Sequence, residues 1–185
     1  MSHTHGAPSA DVSVRIAWAD DAESIAGVQV RAWPELYAGL LPAEVLPTDV
    51  DAVAAQWREA LAKPADARHR VLVALERNRV VGFALTSPAV DPDCDPIADG
   101  ELAEVTLDPA ERAKGHGSRL LQAAVDTLAA DRFTRAVTWV NAGDDALRTF
   151  LTDAGWAADT AHRELDLDGT GTTTVKQVRL HTAIG

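Results

Sequence analysis

The sequence has one cysteine, Cys94, among 185 residues, which excludes an intrachain disulfide framework. It has no apolar run long enough to span a membrane, and residues 1–11 lack the apolar stretch of a secretion signal. We therefore expect a cytoplasmic location and no membrane partner. Positive charge is scarce too: 17 Lys and Arg stand against 28 Asp and Glu, for a formal net charge of −11. A nucleic-acid backbone calls for a basic face, so no nucleic-acid partner is expected. The acid excess suits a cationic partner, although a solvated acidic surface accounts for it more simply. Two phosphate-binding signatures are also missing. No Gly-Lys-Ser/Thr closes a Walker loop, and no three-glycine dinucleotide fingerprint follows a strand.

What is present is an ordinary globular composition, 46% hydrophobic and 24% charged, in a chain the size of one large domain. Residues 1–11 are polar and aperiodic and are expected to be disordered, with His3 and His5 as no more than part of that segment. Residues 12–185 are expected to form a single domain. Val12, Val14, Ile16 and Trp18 alternate as a half-buried strand. Asp20 and Glu23 then resemble a capping box opening a helix through Trp33. Pro34, Pro42 and Pro47 break up the next stretch, and a second helix carries Val53, Ala54, Trp57 and Leu61. Strands are predicted at 71–76 and 80–86 about a turn at Arg77–Arg79. A loop rich in Pro and Asp at 87–100 leads to a strand over 101–107. A helix striped by Leu120, Leu121, Ala124 and Leu128 follows. Then come a strand at 136–140, a helix capped by Asp144 or Asp145 and ended by Gly155, and a hairpin of strands at 163–167 and 174–181. The five tryptophans fall mostly at core phases, with Trp33 and Trp57 able to line a pocket instead.

The stretch that carries chemistry is Glu101 to Leu121. A strand ends at Leu107, and Arg112-Ala113-Lys114-Gly115-His116-Gly117 opens a helix. Such a turn aims several N–H groups at one point, and the helix N-terminus adds partial positive charge, as a phosphate requires. Gly115 and Gly117 let the phosphate reach the main chain. By itself R-x-x-G-x-G is weak, since many surface turns carry two glycines.

The whole segment, with its Leu107-Asp108-Pro109 step before Arg112 to Gly117, resembles the acyl-CoA-binding motif of the GNAT N-acetyltransferases. A second family pattern, N-x-x-A-x-x-F-Y-x-x-x-G-F, falls on Asp144, Leu147, Phe150, Leu151, Gly155 and Trp156. The resemblance covers residues 12–182 and implies an α/β (α+β) fold. Its sheet would be mixed, mostly antiparallel, splayed open at the middle and flanked by helices. It implies acetyl-CoA as co-substrate, with no metal. Pantetheine would lie in the split, against Val105, Thr106 and Leu107. The pyrophosphate would rest on the amides of Arg112, Ala113, Lys114, Gly115, His116, Gly117 and Ser118. His116 would supply its N–H and not its ring. Asp144, Phe150 and Leu151 complete the cofactor side.

The implied reaction moves an acetyl group to an amine by direct attack in a ternary complex. An amine with a pKa of about 10.4 is mostly protonated at pH 7, so a base helps. In histone-type relatives a base glutamate stands on the same strand, eleven residues before the loop arginine, where this chain has Glu101. Glu104 is the rival, expected on the opposite face of the strand; either carboxylate could equally be a solvated strand end. An oxyanion donor is expected from a main-chain N–H in the split near Leu107. Many relatives place an acid Tyr where this chain has Leu151. Tyr37, the only tyrosine, borders the acceptor side but is expected to be a packed aromatic. The acceptor is a small-molecule or protein amine, and a homodimer is the assembly the superfamily suggests. The alternative is an acyl-CoA-binding regulatory module with little catalysis. The acidic loop at 91–99 and Asp166–Gly169 fit no metal loop; they are read as a solvated loop and a hairpin turn.

Acetyl-CoA is expected to raise the melting temperature, with a gain of about 2.7 kcal/mol at 100 times Kd. Thermal melts with and without the ligand check this; no shift at millimolar acetyl-CoA would remove the basis of the resemblance.

Overall fold

The computed structural model describes residues 11–185. The disordered segment expected at 1–11, His3 and His5 included, lies outside them except for Asp11, whose carbonyl accepts from Arg77 N–H at 2.9 Å. Eleven regular elements follow: β1 (Val12–Ile16), α1 (Ala22–Leu36), α2 (Val50–Ala62), β2 (Arg70–Glu76), β3 (Arg79–Pro88), β4 (Asp99–Leu107), α3 (His116–Ala130), β5 (Arg135–Asn141), α4 (Asp145–Asp153), β6 (Ala157–Asp166) and β7 (Thr174–Ala183). They form a seven-stranded sheet in the order β1-β2-β3-β4-β5-β7-β6. Every neighbouring pair is antiparallel except β4 and β5. The mixed, mostly antiparallel architecture is the expected one. No helix among the described residues is long and apolar enough to cross a membrane.

Local chemistry explains most boundaries. Asp49 caps α2 by accepting from the N–H groups of Asp51 and Ala52, as a short acceptor before a helix should. Arg77 and Asn78 both take positive φ (50° and 64°), the backbone a two-residue hairpin turn demands. Three expectations need correction. Asp21, not Asp20, organises the start of α1, accepting from Trp18 N–H at 2.7 Å and pairing with Arg15. Pro34 does not break that helix. It lies in the last turn, where the Val30 carbonyl, four residues back, loses its helical donor, and Tyr37 N–H still reaches Trp33 O at 2.9 Å. Trp18 is 63% exposed under the Arg15 guanidinium, whereas Trp156 is buried as expected.

Two packed layers sandwich the sheet. On one side α3 and α4 seal Leu72, Val81, Leu102, Leu120, Leu128 and Phe133. On the other, α1 and α2 cover Ile25, Val28, Val73 and Phe83, with Trp57 edge-on to Phe83 at 5.3 Å. The Trp57 indole donates to Gln29, so Trp57 is a core residue and not a pocket wall.

β3 and β4 pass closest at Gly82, which pairs with Leu107. A Cβ there would stand 2.6 Å from Leu107 Cδ2 and 2.9 Å from the Thr106 carbonyl oxygen. The oxygen belongs to the ladder and cannot move cheaply. Gly82→Ala is therefore expected to cost about 1–3 kcal/mol, read as a lower urea midpoint at unchanged m value. An unshifted midpoint would mean that the two strands part easily there.

Candidate active site

The site begins where two strands separate. β4 and β5 pair only at Asp99–Arg135, Gly100–Ala136 and Glu101–Val137. At the next step the Thr138 hydroxyl donates to the Leu102 carbonyl at 2.8 Å, and beyond it the strands share no ladder. Residues 102–106 and 138–141 then face one another across a cleft of about 330 Å³. A second lobe of about 400 Å³ continues past Leu107 to Arg112 and Gly117. Val105, Thr106, Asp144, Leu147 and Phe150 line both lobes, so they are two ends of one passage.

The second lobe has the features a phosphate-bearing chain needs. Asp108 N–H donates to Val81 O at 2.8 Å. Main-chain groups alternate along a strand, so those of Leu107 and Val105 point the other way, into the fork. Gly115 caps α3 with φ +83°, and Ala113 has φ +60°. The first N–H groups of α3, His116 to Ser118, have no partner within the helix. The side chains of this loop are mostly occupied elsewhere. Arg112 pairs with Glu35 of α1. Lys114 and Arg79 bind Glu111 at 2.7 and 2.5 Å and hold its carboxyl down to about 2. The His116 ring is buried behind the loop, 3.6 Å from Glu76; Ser118 lines a separate groove with Trp156. Any ligand at this turn would meet main chain. Glu76, Glu111 and His116 are close enough to share an ion, but Arg79 and Lys114 already neutralise Glu111.

Of the two candidate bases, Glu104 lines the first lobe and Glu101 does not. Their relation differs from the expected one. Glu101 pairs with Ser87, Leu102 with Thr86 and Glu104 with Leu85, so Ala103 is an extra residue in β4. A bulge shifts the alternation by one, and both glutamates therefore face the α1–α2 side. Glu104 is largely buried, and its Oε1 accepts from the Thr106 hydroxyl at 2.8 Å. Burial raises its pKa despite that hydrogen bond. Burial, then the Glu104 charge, also raises the pKa of Tyr37 across the cleft, which keeps the phenol protonated. Leu151 is 2% exposed at the cleft floor.

Glu101 looks instead toward a charge network. Burial, then Asp91, raises its pKa. Arg179, 3% exposed, binds Asp91, Asp93 and Asp159 and holds the Asp93 carboxyl down to about 2. The loop at 91–99 is thus pinned to β7, not simply solvated as expected. With their oxygens on Arg179, Asp91 and Asp93 have little left for an ion beside Cys94. Asp166 organises the β6–β7 turn as expected, accepting from the N–H groups of Asp168, Gly169 and Gly171.

Some cleft residues escaped the sequence reading: Gln29, Trp139, Asn141, and Leu165 with Val175 on the last hairpin. Their only signal was helix periodicity for Gln29 and strand alternation for the others, neither of which says what lies opposite. Trp33 does line the cleft, as one of its two expected alternatives.

A sheet forked beside a glycine turn, with a helix N-terminus at one end and a buried carboxylate at the other, defines the class of the GNAT-type acetyltransferases. Residues 30–156 match the model of the Acetyltransferase (GNAT) family, and the chain belongs to that family. No curated protein matches the sequence. Among solved structures, yncA from Salmonella typhimurium with its cofactor acetyl-CoA has TM-score 0.67 at 18% identity, covering 94% of each chain. The ribosomal-protein-alanine N-acetyltransferase from Brucella melitensis has TM-score 0.69 at 19% identity, covering 93% of this chain and 99% of its own. PaiA N-acetyltransferase from Thermoplasma acidophilum, in complex with coenzyme A, has 0.63 at 16%, covering 90% and 98%. At these identities they establish the fold.

The raised pKa of Glu104 has a consequence for stability. A carboxyl whose folded pKa lies above its unfolded one stabilises the fold at acid pH, and that contribution is lost as pH rises through the folded value. Glu104→Gln imitates the protonated form. It is expected to melt higher than the parent at pH 7 and equal to it near pH 4, in thermal scans across pH. A variant less stable at pH 7 would mean that the ionised group is well solvated or paired.

Proposed function

We propose that this protein is an acetyl-CoA-dependent N-acetyltransferase acting by direct transfer in a ternary complex, with Glu104 as the base. The carrying observation is the single passage from the glycine turn to Glu104, open along the unpaired edge of β4. The residues fit the co-substrate on a steric ground: an added Cβ at Gly117 would stand 3.4 Å from Leu107 and 3.7 Å from Phe150, narrowing the approach to the helix N-terminus. The domain from residue 12 onward, a cytoplasmic setting and an amine acceptor, small or on a protein, belong to the same reading.

Bound acetyl-CoA would supply an activated thioester. Val105 and Leu107 would align it through main-chain groups in the fork, and the amides from Arg112 to Ser118 would hold its pyrophosphate. Asp144, Phe150 and Leu151 would wall the opposite side. Glu104 would take the proton of the incoming ammonium on its free carboxylate oxygen while Thr106 holds the other. Its raised pKa brings it nearer to that of the amine, which suits a base. Tyr37, kept neutral, is the nearest candidate to protonate the departing sulfur, since Leu151 cannot. Glu101 becomes the alternative base, one step deeper and tied to the Asp91–Arg179 cluster. The buried Leu151 favours a second reading, an acyl-CoA-binding module with little catalysis.

Release of CoA thiol across a panel of amines tests the choice. With an active amine, Glu104→Gln is expected to lower kcat by about 10²–10⁴ at neutral pH. Higher pH supplies neutral amine from solution, so the deficit should shrink toward the amine pKa. Glu101→Gln should keep most activity. The reverse ranking would move the role to Glu101, and no release with any amine would favour the binding module.

A further inference from the structure

The cleft that holds Glu104 is lined by four aromatic side chains, Trp33, Tyr37, Trp139 and Phe150, and by apolar groups from both of its rims. Leu40, just after α1, stands on one rim; Leu165 and Val175 of the β6–β7 hairpin stand on the other. Among the described residues, two carboxylates, Glu104 and Asp144, are its only charged lining, and no Lys, Arg or His lines it. Asp144 stands at the start of α4, where one of its carboxylate oxygens accepts from Leu147 N–H at 3.0 Å and the helix N-terminus offsets its charge. Glu104 is therefore the one charge of this lining that no cation or helix end offsets.

A cation that borders the Trp139 wall is committed elsewhere. Arg163 lies over the Trp139 ring, 4.2 Å from its centroid. Its Nε donates to Gln177 at 2.9 Å, and its guanidinium is 3.9 Å from Asp91. Trp139 is fixed in turn by its indole N–H, which donates to Asp91 at 3.0 Å. The cavity wall is thus rigid, ring-bearing and without a counter-ion for an anion. A ligand carboxylate or phosphate would have to lose water beside Glu104 and find no positive partner, which is costly. A second ammonium far from Glu104 would meet apolar groups and the neutral amides of Gln29, Asn141 and Gln177, with no uncompensated charge to pair with.

We propose that the acceptor is a small primary monoamine on an apolar, ring-bearing body, with no carboxylate or phosphate. This deepens the transferase reading and rests on it for the word acceptor, but the ligand class follows from the lining alone. The ammonium pairs with Glu104, where the proton must leave, and the ring packs among Trp33, Tyr37 and Trp139. The lobe of about 330 Å³, shared with the acetyl end of the co-substrate, admits only a small acceptor.

The test separates binding from turnover. Protein saturated with CoA, which cannot transfer, is titrated calorimetrically with 2-phenylethylamine, L-phenylalanine, 1,4-diaminobutane and a tetrapeptide with a free N-terminus. 2-Phenylethylamine is expected to bind at least about tenfold tighter than each of the others. Leu165→Arg, at a partly exposed rim position, should narrow the gap to L-phenylalanine by supplying the missing cation. Equal or tighter binding of L-phenylalanine, the diamine or the peptide by the parent overturns the proposal, as does no binding of 2-phenylethylamine. The same amines with acetyl-CoA then report on transfer. Selective binding of 2-phenylethylamine without CoA release leaves the ligand class standing and removes the transferase reading. Release with L-phenylalanine or the peptide, but not with 2-phenylethylamine, does the opposite.

Discussion

The structure turns on how briefly β4 and β5 stay paired. Three register pairs join them, and then the Thr138 hydroxyl takes the Leu102 carbonyl that the ladder would have used. That one side-chain bond ends the sheet cleanly at the apex of the fork. Past it the outward main-chain groups of β4 would be costly to bury without partners, so the gap must be filled by water or by a ligand with its own amides. The same fork sets the two ends of the passage. β4 leads through Asp108 into the glycine turn, and β5 leads through Asn141 to Asp144, which caps α4. Arg31, paired through two nitrogens with the buried Asp108, ties α1 to the outlet of β4, so the acceptor wall and the turn move together.

Much of this could be read from the sequence because it depends on local chemistry. The glycines at 115 and 117, the apolar stripe of α3 and the turn at Arg77–Asn78 each leave a pattern within a few residues. The order of elements followed from such patterns, and the fold from the family that the motifs and this order resemble. What could not be read depends on partners far away in the chain. The bulge at Ala103 exists only as a mismatch between β4 and β3; nothing in Leu102-Ala103-Glu104 announces it. Strict alternation therefore put Glu101 and Glu104 on opposite faces, whereas the extra residue brings both to the α1–α2 side. The early part of β6 was hidden for a similar reason. Residues 157–162 lack a strand pattern and are extended because β7 pairs with them, with Thr160 at φ +74° interrupting the ladder.

The charges divide into two groups with opposite purposes. Arg179 gathers Asp91, Asp93 and Asp159 from segments 20 to 88 residues away. The cluster, buried except for Asp93, is balanced with the help of Arg135 and Arg163 and fixes geometry: it pins the acidic loop, and through Asp91 it holds the Trp139 indole. Removing one member of a cluster like this strands the others, which is why it acts as a structural unit. Glu101 borders this group, and its surroundings are already balanced by Arg163 and Arg179.

Glu104 belongs to no such cluster. Among the described residues one hydroxyl touches it and no cation does, and burial holds its pKa up. A folded protein gains nothing from an ionised carboxylate in that position, since the group would be more stable in water or beside an arginine. A partner arriving with a positive charge changes the balance: it would satisfy the carboxylate, and it would then be held by a group basic enough to accept its proton. The acidic surface would draw such a cation in from solution. The cleft would be completed by its ligand at both ends. The open edge of β4 lacks hydrogen-bond partners, and Glu104 lacks a counter-charge. The stability given up at these two places is what the apolar core around Leu102 and Phe83, on the two faces of the same sheet, has to offset.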